Sequence, residues 1–364
     1  MLLSADKFKK VVSILKVSIY DVANLAGVSI STVSRVLNKS GYTSSKTEKK
    51  VMDAVEKLNF TPSSIAQNLA NNETKLIGLY FPFQTPSIEG TSNTYLLEFI
   101  NGVNKILIKF GYHLLLINET ATKEQIQGNE CPPQYYSFIK QKKIDGLILG
   151  GTPLICDAFL ELLHAKMPMV YIGEKTVDHI GLNVYAKYKQ YNKDLLDHFT
   201  SHHHQHMAII STEEKIINSV TQDYTAVNKE VLQIDVHHHT GSLDAYIQLL
   251  KQIFSNEDKP TALLVQDISI VQQTINYLNN LQLKVPHDVS IATIEHRYGD
   301  GEQCFPAVTS VYVPAFQMGM EAASLLFRYL QGAVEFNQEI LIDSTITDRK
   351  SVIHRNHLTK EEVI

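Results

Sequence analysis

Seven short runs of consecutive apolar residues, with amphipathic stretches between and after them, most constrain the fold of this 364-residue chain. The runs cover residues 76–81, 113–118, 146–151, 169–173, 207–211, 262–266 and 289–294. Strands that are apolar along their whole length are typical of parallel sheets with helices on both faces. Helices are predicted at 95–110, 185–199, 243–254, 268–280 and 315–330. Seven or eight strands favour two doubly wound α/β lobes, with a ligand cleft beyond the carboxyl ends of the strands.

The charge of the chain divides it into two parts. Residues 1–62 hold ten Lys and Arg against five Asp and Glu, whereas the other 302 residues hold 23 against 33. A small basic head on an acidic body indicates that the head binds a polyanion. No run of 18 apolar residues is present, and charged residues interrupt the first ten, which argues against a membrane span and a signal peptide. Three scattered cysteines suit a reducing compartment, so we expect a cytoplasmic protein.

Three short helices are predicted within the head. Ser18 begins a capping-box pattern at the start of the first helix, and Gly27 follows its end. Ser29 is placed to cap a second helix over residues 30–37, and a third helix is predicted from Ser45. The turn of three to four residues between the first two is the spacing of a helix-turn-helix, which inserts its second helix into the major groove of DNA.

The head resembles the DNA-binding domain of the lactose-repressor (LacI/GalR) family of bacterial transcription regulators. The motifs DVA, LAGVS, TVSRVLN and P-x-x-I-A-x-x-L stand in the order found in that family. The resemblance implies that Ile30 and Ser31, which follow the cap, read base edges. It also implies that a wider set contacts bases or phosphates or braces the backbone, namely Tyr20, Ser29, Thr32, Ser34, Arg35, Asn38, Tyr42 and Thr47.

The segment at residues 63–73 is a linker or a short helix on its sequence alone. In the family it forms a hinge helix when two subunits meet on operator DNA, and its leucine, here Leu69, opens the minor groove. The resemblance adds Ala66 and Gln67 to this contact. Ser63 stands where the family usually has Asn, and Gln67 where Arg is common, so we expect fewer minor-groove contacts.

Residues 74–364 resemble the family's periplasmic-binding-protein-like effector domain, which also forms the dimer. The segments IDGLILGG, VPHDVSI and MGMEAASLL carry this match. The effector pocket departs from the family, because Val220 and Asp223 replace its usual Arg and Gly. The positions that the resemblance assigns to the effector are Tyr95, Tyr224, Asp267 and Glu295. Carboxylates at strand ends suit a sugar, although Asp267 is equally placed to cap the helix that follows it.

Two histidine-rich tracts, at residues 201–206 and 237–239, invite a metal-binding interpretation. Neighbouring residues on a strand alternate faces and rarely converge on one ion, and His204 matches a structural histidine of the family. We therefore expect no bound metal. No nucleophile elbow, Walker loop, CxxC or HExxH motif is present, so we expect neither an enzyme nor a resident cofactor.

The sequence thus predicts an N-terminal extension (1–16), a helix-turn-helix domain (17–62), a hinge (63–73) and a two-lobed effector domain (74–364). The expected function is that of a repressor of a sugar-utilisation operon. A homodimer or tetramer would bind a pseudo-palindromic operator and be released by a small carbohydrate. The alternatives are a cytoplasmic solute-binding or sensor protein, and a regulator controlled by a protein or a non-sugar effector.

Overall fold

The computed structural model describes residues 17–38, 41–61, 73–81, 94–173, 180–211, 233–239, 241–255 and 257–355. These residues form two compact units that divide between Lys75 and Leu76. The predicted N-terminal extension and hinge therefore lie outside the described residues. Within the described residues, no helix combines the length and the apolar character needed to cross a membrane.

The head is a bundle of three helices, α1 (Ile19–Ala26), α2 (Ile30–Leu37) and α3 (Ser45–Leu58). Each helix begins where the sequence supplies a capping side chain. The predicted capping box of Ser18 is present, and Ser29 Oγ accepts a hydrogen bond from Thr32 N at 3.2 Å. The cap of α3 is Ser44 rather than Ser45, because the Ser44 hydroxyl accepts from a backbone N–H of the first turn.

The turn between α1 and α2 depends on Gly27. Its backbone is left-handed, with φ at 68°, a conformation that glycine adopts without steric cost. The turn brings the apolar faces of the three helices together in one small core, which consists of Val22, Ala23, Ala26, Val33, Val36, Val51 and Ala54.

The first lobe is built on a six-stranded parallel sheet in the order β11-β5-β4-β3-β1-β2. Its strands are β1 (Leu76–Tyr80), β2 (His113–Ile117), β3 (Gly146–Leu149), β4 (Met169–Ile172), β5 (Leu182–Ala186) and β11 (Gln338–Ile342). Its helices are α4 (Thr94–Phe110), α5 (Lys123–Gln127), α6 (Gln134–Lys140), α7 (Asp157–His164) and α11 (Ala315–Leu330).

The second lobe has a sheet in the order β12-β10-β9-β8-β6-β7, parallel except for the edge strand β12. Its strands are β6 (His206–Ser211), β7 (Gln233–His238), β8 (Ala262–Asp267), β9 (Ser290–Glu295), β10 (Thr309–Tyr312) and β12 (Thr345–Thr347). Its helices are α8 (Tyr188–Ser201), α9 (Leu243–Phe254) and α10 (Val271–Asn280). The chain crosses between the lobes three times, after β5, β10 and β11.

The two doubly wound lobes confirm the predicted fold class, but the described residues hold twelve strands rather than seven or eight. The strands that were missed have no continuous apolar run. The edge strands β7 and β11 are partly exposed, and β10 is buried but begins with Thr309 and Ser310. The start of the predicted helix 185–199 belongs to β5, and α8 begins only at Tyr188.

Helices α4 and α11 pack with their backbones in direct contact. A Cβ added to Gly102 of α4 would lie 2.0 Å from the carbonyl oxygen of Phe316, and one added to Gly319 of α11 would lie 2.2 Å from that of Phe99. Real Cβ atoms do not approach carbonyl oxygens so closely, so only glycine fits at both positions. This helix crossing fixes α11, which follows the second passage of the chain between the lobes, onto the first lobe.

Replacing Gly319 by Ala should destabilise the effector domain, because two helix backbones must move apart to admit the methyl group. We expect a loss of about 1–3 kcal/mol in the free energy of unfolding, measured by chemical denaturation. Gln317→Ala, at an exposed position of the same helix, is the control and should change stability by less than about 0.5 kcal/mol. Equal stability of the two variants would contradict the close crossing.

Candidate nucleic-acid interface and ligand cleft

Helix α2 presents one buried face to the head and one polar face to solvent. Val33 and Val36 are buried in the core, whereas Ser31 and Arg35 are exposed. Ile30, which opens the helix, is 39% exposed and lies outside the buried core. An exposed apolar side chain at this position can contact a thymine methyl, and the neighbouring hydroxyls and guanidinium can pair with base edges or phosphates.

Hydrogen bonds within α2 order this polar face. The Arg35 Nε donates to the carbonyl oxygen of Ser31 at 3.3 Å, and Asn38 Nδ2 donates to Ser34 Oγ at 3.3 Å. The hydroxyl of Ser29 lies 2.8 Å from that of Ser31 and 2.8 Å from that of Thr32. Because Arg35 is anchored through Nε, both terminal nitrogens of its guanidinium remain available for a bidentate contact.

The resemblance implies three further residues of the head, on α1, on α3 and in the segment before α3. Tyr20 and Tyr42 are 63% and 91% exposed, an unusual state for large aromatic side chains. Thr47 is half-buried in the first turn of α3, and its hydroxyl lies 2.9 Å from that of Ser44. The hinge residues Ala66, Gln67 and Leu69 lie outside the described residues.

The carboxyl edges of the two sheets meet at Tyr95 of α4. Its hydroxyl donates to the carbonyl oxygen of Gly150, just beyond β3 in the first lobe, at 3.3 Å. Its ring contacts the imidazole of His296, just beyond β9 in the second lobe, with centroids 5.2 Å apart and planes at 72°. This contact marks the cleft between the lobes, and it brings Tyr95 to the edge at which the sequence predicts an effector.

Asp267 lies at the end of β8, at the same edge. Its Oδ1 accepts hydrogen bonds from Ser269 N at 2.9 Å and from Ser269 Oγ at 2.6 Å. The carboxylate therefore caps the short 3₁₀ turn Ile268–Ile270, as the alternative interpretation of this residue predicts. Its Oδ2 makes no hydrogen bond within the described residues.

Glu295, at the end of β9, is fully buried, and its oxygens are engaged by the protein. Arg349, only 6% exposed, donates Nη2 to Oε1 at 3.2 Å, and Gly301 N donates to Oε2 at 2.7 Å. Arg349 Nη1 also donates to Val308 O at 2.9 Å and to Ser310 Oγ at 2.6 Å. This arrangement favours a structural role for Glu295 over the direct effector contact that the resemblance implies.

His296 is the cleft residue that the sequence reasoning did not select. Its Nδ1 lies 3.4 Å from the carbonyl oxygen of Val313, which can only accept, so Nδ1 carries the proton and Nε2 is an acceptor. Burial lowers the pKa of His296, which keeps the imidazole neutral near pH 7. His296 directly follows the predicted effector residue Glu295, but only the contact with Tyr95 places it in the cleft.

A chain of polar side chains lies beside Asp267. Gln266 Nε2 donates to Asn192 Oδ1 of α8 at 2.8 Å, and Ser211 Oγ donates to Gln266 Oε1 at 2.5 Å. The remaining predicted effector residue, Tyr224, lies outside the described residues.

The histidine-rich tracts do not form a metal site among the described residues. No group of three or more His, Cys, Asp or Glu side chains in that part of the chain has metal-binding geometry. His204 is buried between Thr261 and Ile353, in agreement with a structural role.

Two family models match the chain. That of the bacterial regulatory proteins of the lacI family matches residues 18–63, and that of the periplasmic binding protein-like domain matches residues 196–352. The HTH-type transcriptional repressor PurR of Histophilus somni (strain 2336) is 27% identical over 349 residues, which are 92% of this chain and 98% of that protein.

Solved structures share the fold over the same extent. The lac repressor dimer bound to operator and the anti-inducer ONPF superposes with a TM-score of 0.73 at 21% identity, covering 93% of this chain and 99% of that one. A LacI family regulator from Enterococcus faecium with bound ribose has a TM-score of 0.61 at 18% identity, covering 77% of this chain and all of that one. Together with the geometry of the head and the cleft, these matches show that the chain belongs to the lacI family of bacterial regulatory proteins and is a DNA-binding transcriptional regulator.

Proposed function

We propose that this regulator is a cytoplasmic repressor that a small uncharged sugar, or a similar polyol, releases from operator DNA. The observation that carries the proposal is the polar, exposed face of α2 in the same chain as a two-lobed domain whose strand ends converge on a cleft. The name of the Histophilus somni relative, a transcriptional repressor, supports the direction of the regulation.

In this proposal the head reads the operator through α2. Ile30, Ser31 and Arg35 contact base edges in the major groove, since they are exposed on the face opposite the core. A second group contacts phosphates or braces the backbone, and it consists of Tyr20, Ser29, Thr32, Ser34, Asn38, Tyr42 and Thr47. Ala66, Gln67 and Leu69 of the hinge segment contact the minor groove, where an apolar wedge exploits a deformable base step.

The active form is a homodimer of the effector domain. Helix α4 and the neighbouring edge strand β2 expose Leu97, Ile108 and Leu116, which are 55%, 76% and 55% exposed. Large apolar side chains exposed close together are typical of a protein interface. A second copy of the chain is the occupant that suits this surface, because a twofold dimer presents two heads to the two halves of a pseudo-palindromic operator.

The effector binds in the cleft marked by Tyr95 and His296. Asp267 Oδ2 and the Nε2 of neutral His296 both accept hydrogen bonds, so they require a ligand that donates them, as sugar hydroxyls do. Arg297, near the same edge, is paired with Asp300 at 2.6 Å, and Arg349 is paired with Glu295. With these two arginines engaged, this edge favours an uncharged ligand over an anionic one.

Effector binding changes the affinity for DNA by changing the orientation of the two lobes relative to each other. Both lobes contribute to the Tyr95–His296 contact, so a ligand seated there stabilises one lobe arrangement over another. The shift in operator affinity equals the difference between the effector's affinities for the two states.

The proposal is tested by fluorescence anisotropy on the DNA upstream of the regulator's own operon. A panel of neutral sugars and their phosphorylated forms is titrated into the complex, after a thermal-shift screen of the same panel. We expect tight binding to this DNA and release by a neutral member of the panel. Binding no tighter than to random DNA, or release by phosphorylated sugars alone, would contradict the proposal.

Asp267 should discriminate between effector binding and capping. Asp267→Ala should weaken effector binding about ten- to a hundredfold, since a hydrogen bond to a charged group contributes roughly 1.5–3 kcal/mol. The affinity for operator DNA should stay nearly unchanged. Asn caps as well as Asp, so Asp267→Asn retains the cap but removes the charge. Full effector response in Asp267→Asn and Asp267→Ala would remove this residue from the proposed site.

Arg35→Ala should weaken operator binding by about 1–3 kcal/mol if the guanidinium pairs bidentately with guanine, with relaxed specificity at one base pair. If the guanidinium contacts a phosphate, Arg35→Ala should instead weaken binding to all DNA sequences similarly and reduce the salt dependence of the affinity. Lys57→Ala, in the last turn of α3, is the control. Unchanged affinity of Arg35→Ala for operator and random DNA would exclude α2 from the groove.

Ile108→Asp should dissociate the dimer, because association would bury an unpaired charge at an apolar surface. We expect the dimer dissociation constant, measured by analytical ultracentrifugation, to rise by at least about tenfold. Lys142→Glu, exposed elsewhere on the first lobe, should leave it unchanged. A dimer of wild-type affinity in Ile108→Asp would place the interface elsewhere.

A further inference from the structure

Four histidine rings form a contiguous cluster at the edge of the second lobe opposite the cleft. The rings of His198 and His202, at the end of α8, have centroids 4.5 Å apart. The ring of His354 lies 4.5 Å from that of His202 and 5.6 Å from that of His203. One of the histidine-rich tracts of the sequence thus joins a histidine about 150 positions further along the chain.

His354 belongs to a C-terminal strap, which we define as residues 348–355. The strap crosses the second sheet from the cleft edge to the opposite edge. At the cleft edge Arg349 pairs with Glu295, and in the middle Ser351 Oγ donates to the carbonyl oxygen of Ile291 at 2.5 Å. At the far edge Arg355 N donates to the carbonyl oxygen of His202 at 3.0 Å.

A fifth histidine, His204, joins the strap to the sheet from beneath the cluster. Its Nε2 lies 3.1 Å from the carbonyl oxygen of Ile353, so Nε2 is the donor. Its Nδ1, 2.8 Å from the hydroxyl of Thr261, is then the acceptor. Burial lowers the pKa of His204 to about 4, so the ring is neutral at pH 7 and its Nδ1 accepts from Thr261, whose hydroxyl also lies 3.3 Å from the carbonyl oxygen of His206.

His198 also favours the neutral state. Its Nε2 is buried without a hydrogen-bond partner, and a proton there would leave a charged donor unsatisfied. Burial is the main cause that lowers the pKa of His198, and the neighbouring His202 lowers it further. His202 Nδ1 donates to the carbonyl oxygen of His198 at 2.8 Å, which leaves that nitrogen no role as an acceptor.

The charged groups that face the cluster give little compensation for added protons. Asp348 favours protonation of His198, but its Oδ2 is engaged by Lys350 Nζ at 2.5 Å, and Lys350 opposes that protonation. Arg355 opposes protonation of His204 and donates its guanidinium to the carbonyl oxygen of Asp288 at 2.8 Å.

We propose that His198, His202, His203 and His354, with His204 beneath them, form an acid-sensitive clasp that holds the C-terminal strap to the end of α8. At neutral pH His198 and His204 are uncharged and the strap is docked. Protonation of His198 leaves a charged donor at its buried Nε2 without an acceptor, and protonation of His204 adds a second charge nearby, so the far end of the strap is released.

The direction of the pH dependence follows from the lowered pKa values. An unfolded histidine titrates near 6.5, so the released strap binds more protons than the docked one at pH values between about 6.5 and 4. Docking is therefore at full strength above about pH 6.5 and weakens as the pH falls toward 4.

The clasp is tested by hydrogen–deuterium exchange of the full chain at pH 7.5 and 5.5, with rates corrected for intrinsic exchange. Protection of peptides covering residues 348–355 should fall about tenfold on acidification, as one histidine with a pKa near 4 requires, and more if His198 also protonates. Strands of the first lobe should keep their protection. In the double variant His198→Gln/His204→Gln, which removes the two clasp histidines of lowered pKa, the loss should be clearly smaller, whereas the control His164→Gln, exposed on α7, should match the wild type.

Strap protection that does not change on acidification would overturn the clasp, as would a loss of equal size in the first lobe or in the double variant. NMR titration of the wild-type histidines gives a second measurement that needs no variant. We expect His198 to titrate below 6.5 and His204 near 4, and ordinary values for both would also overturn the proposal.

Discussion

A buried ion pair between Glu295 and Arg349 holds together the part of the second lobe on which the cleft depends. The two side chains, 0% and 6% exposed, connect the end of β9, the loop at Gly301, the start of β10 and the C-terminal strap. Breaking a buried pair by removing one partner leaves an uncompensated charge and typically costs about 3–5 kcal/mol. The next residue along the chain, His296, is therefore presented to the cleft from a fixed position.

The remainder of the effector domain extends this arrangement to the first lobe. Tyr95 of α4 contacts His296, and α4 is itself locked to α11 by the Gly102 and Gly319 crossing. A ligand between the lobes therefore contacts rigid elements on both sides. The remaining motion is that of one lobe relative to the other. Such a geometry suits a two-state regulator, in which a small ligand selects one lobe arrangement.

Local patterns in the sequence were sufficient to predict the helices of the head and the central strands of the two sheets. Helix ends in the head are determined by residues close in sequence, namely the caps Ser18 and Ser29 and the left-handed Gly27. The structure confirms the helices that these residues predict. Most strands buried on both faces are apolar along their length, so their runs were visible, whereas the buried strand β10 begins with Thr309 and Ser310 and was missed. Edge strands such as β7 and β11 carry a mixed pattern because only part of each strand is covered.

The cleft could be predicted only in part, because its chemistry depends on contacts between distant residues. Glu295 matched a carboxylate position of the family, but its partner Arg349 lies 54 positions away, and nothing local to either residue reveals the pair. Nothing local in the sequence assigns His296 to the cleft, which only its contact with Tyr95 reveals. For His204 the resemblance implied a structural role, and its hydrogen bonds to Thr261 and Ile353 agree with that role.

The central claim is that a twofold-symmetric dimer reads a specific DNA sequence through α2. Selection of binding sites from a random DNA pool by the full-length protein, followed by sequencing, tests it most directly. The account predicts an enriched pseudo-palindrome whose half-sites change in sequence when Ser31 and Arg35 are replaced. Enrichment of no sequence above the starting pool, or of a motif that is unaffected by these substitutions, would contradict it.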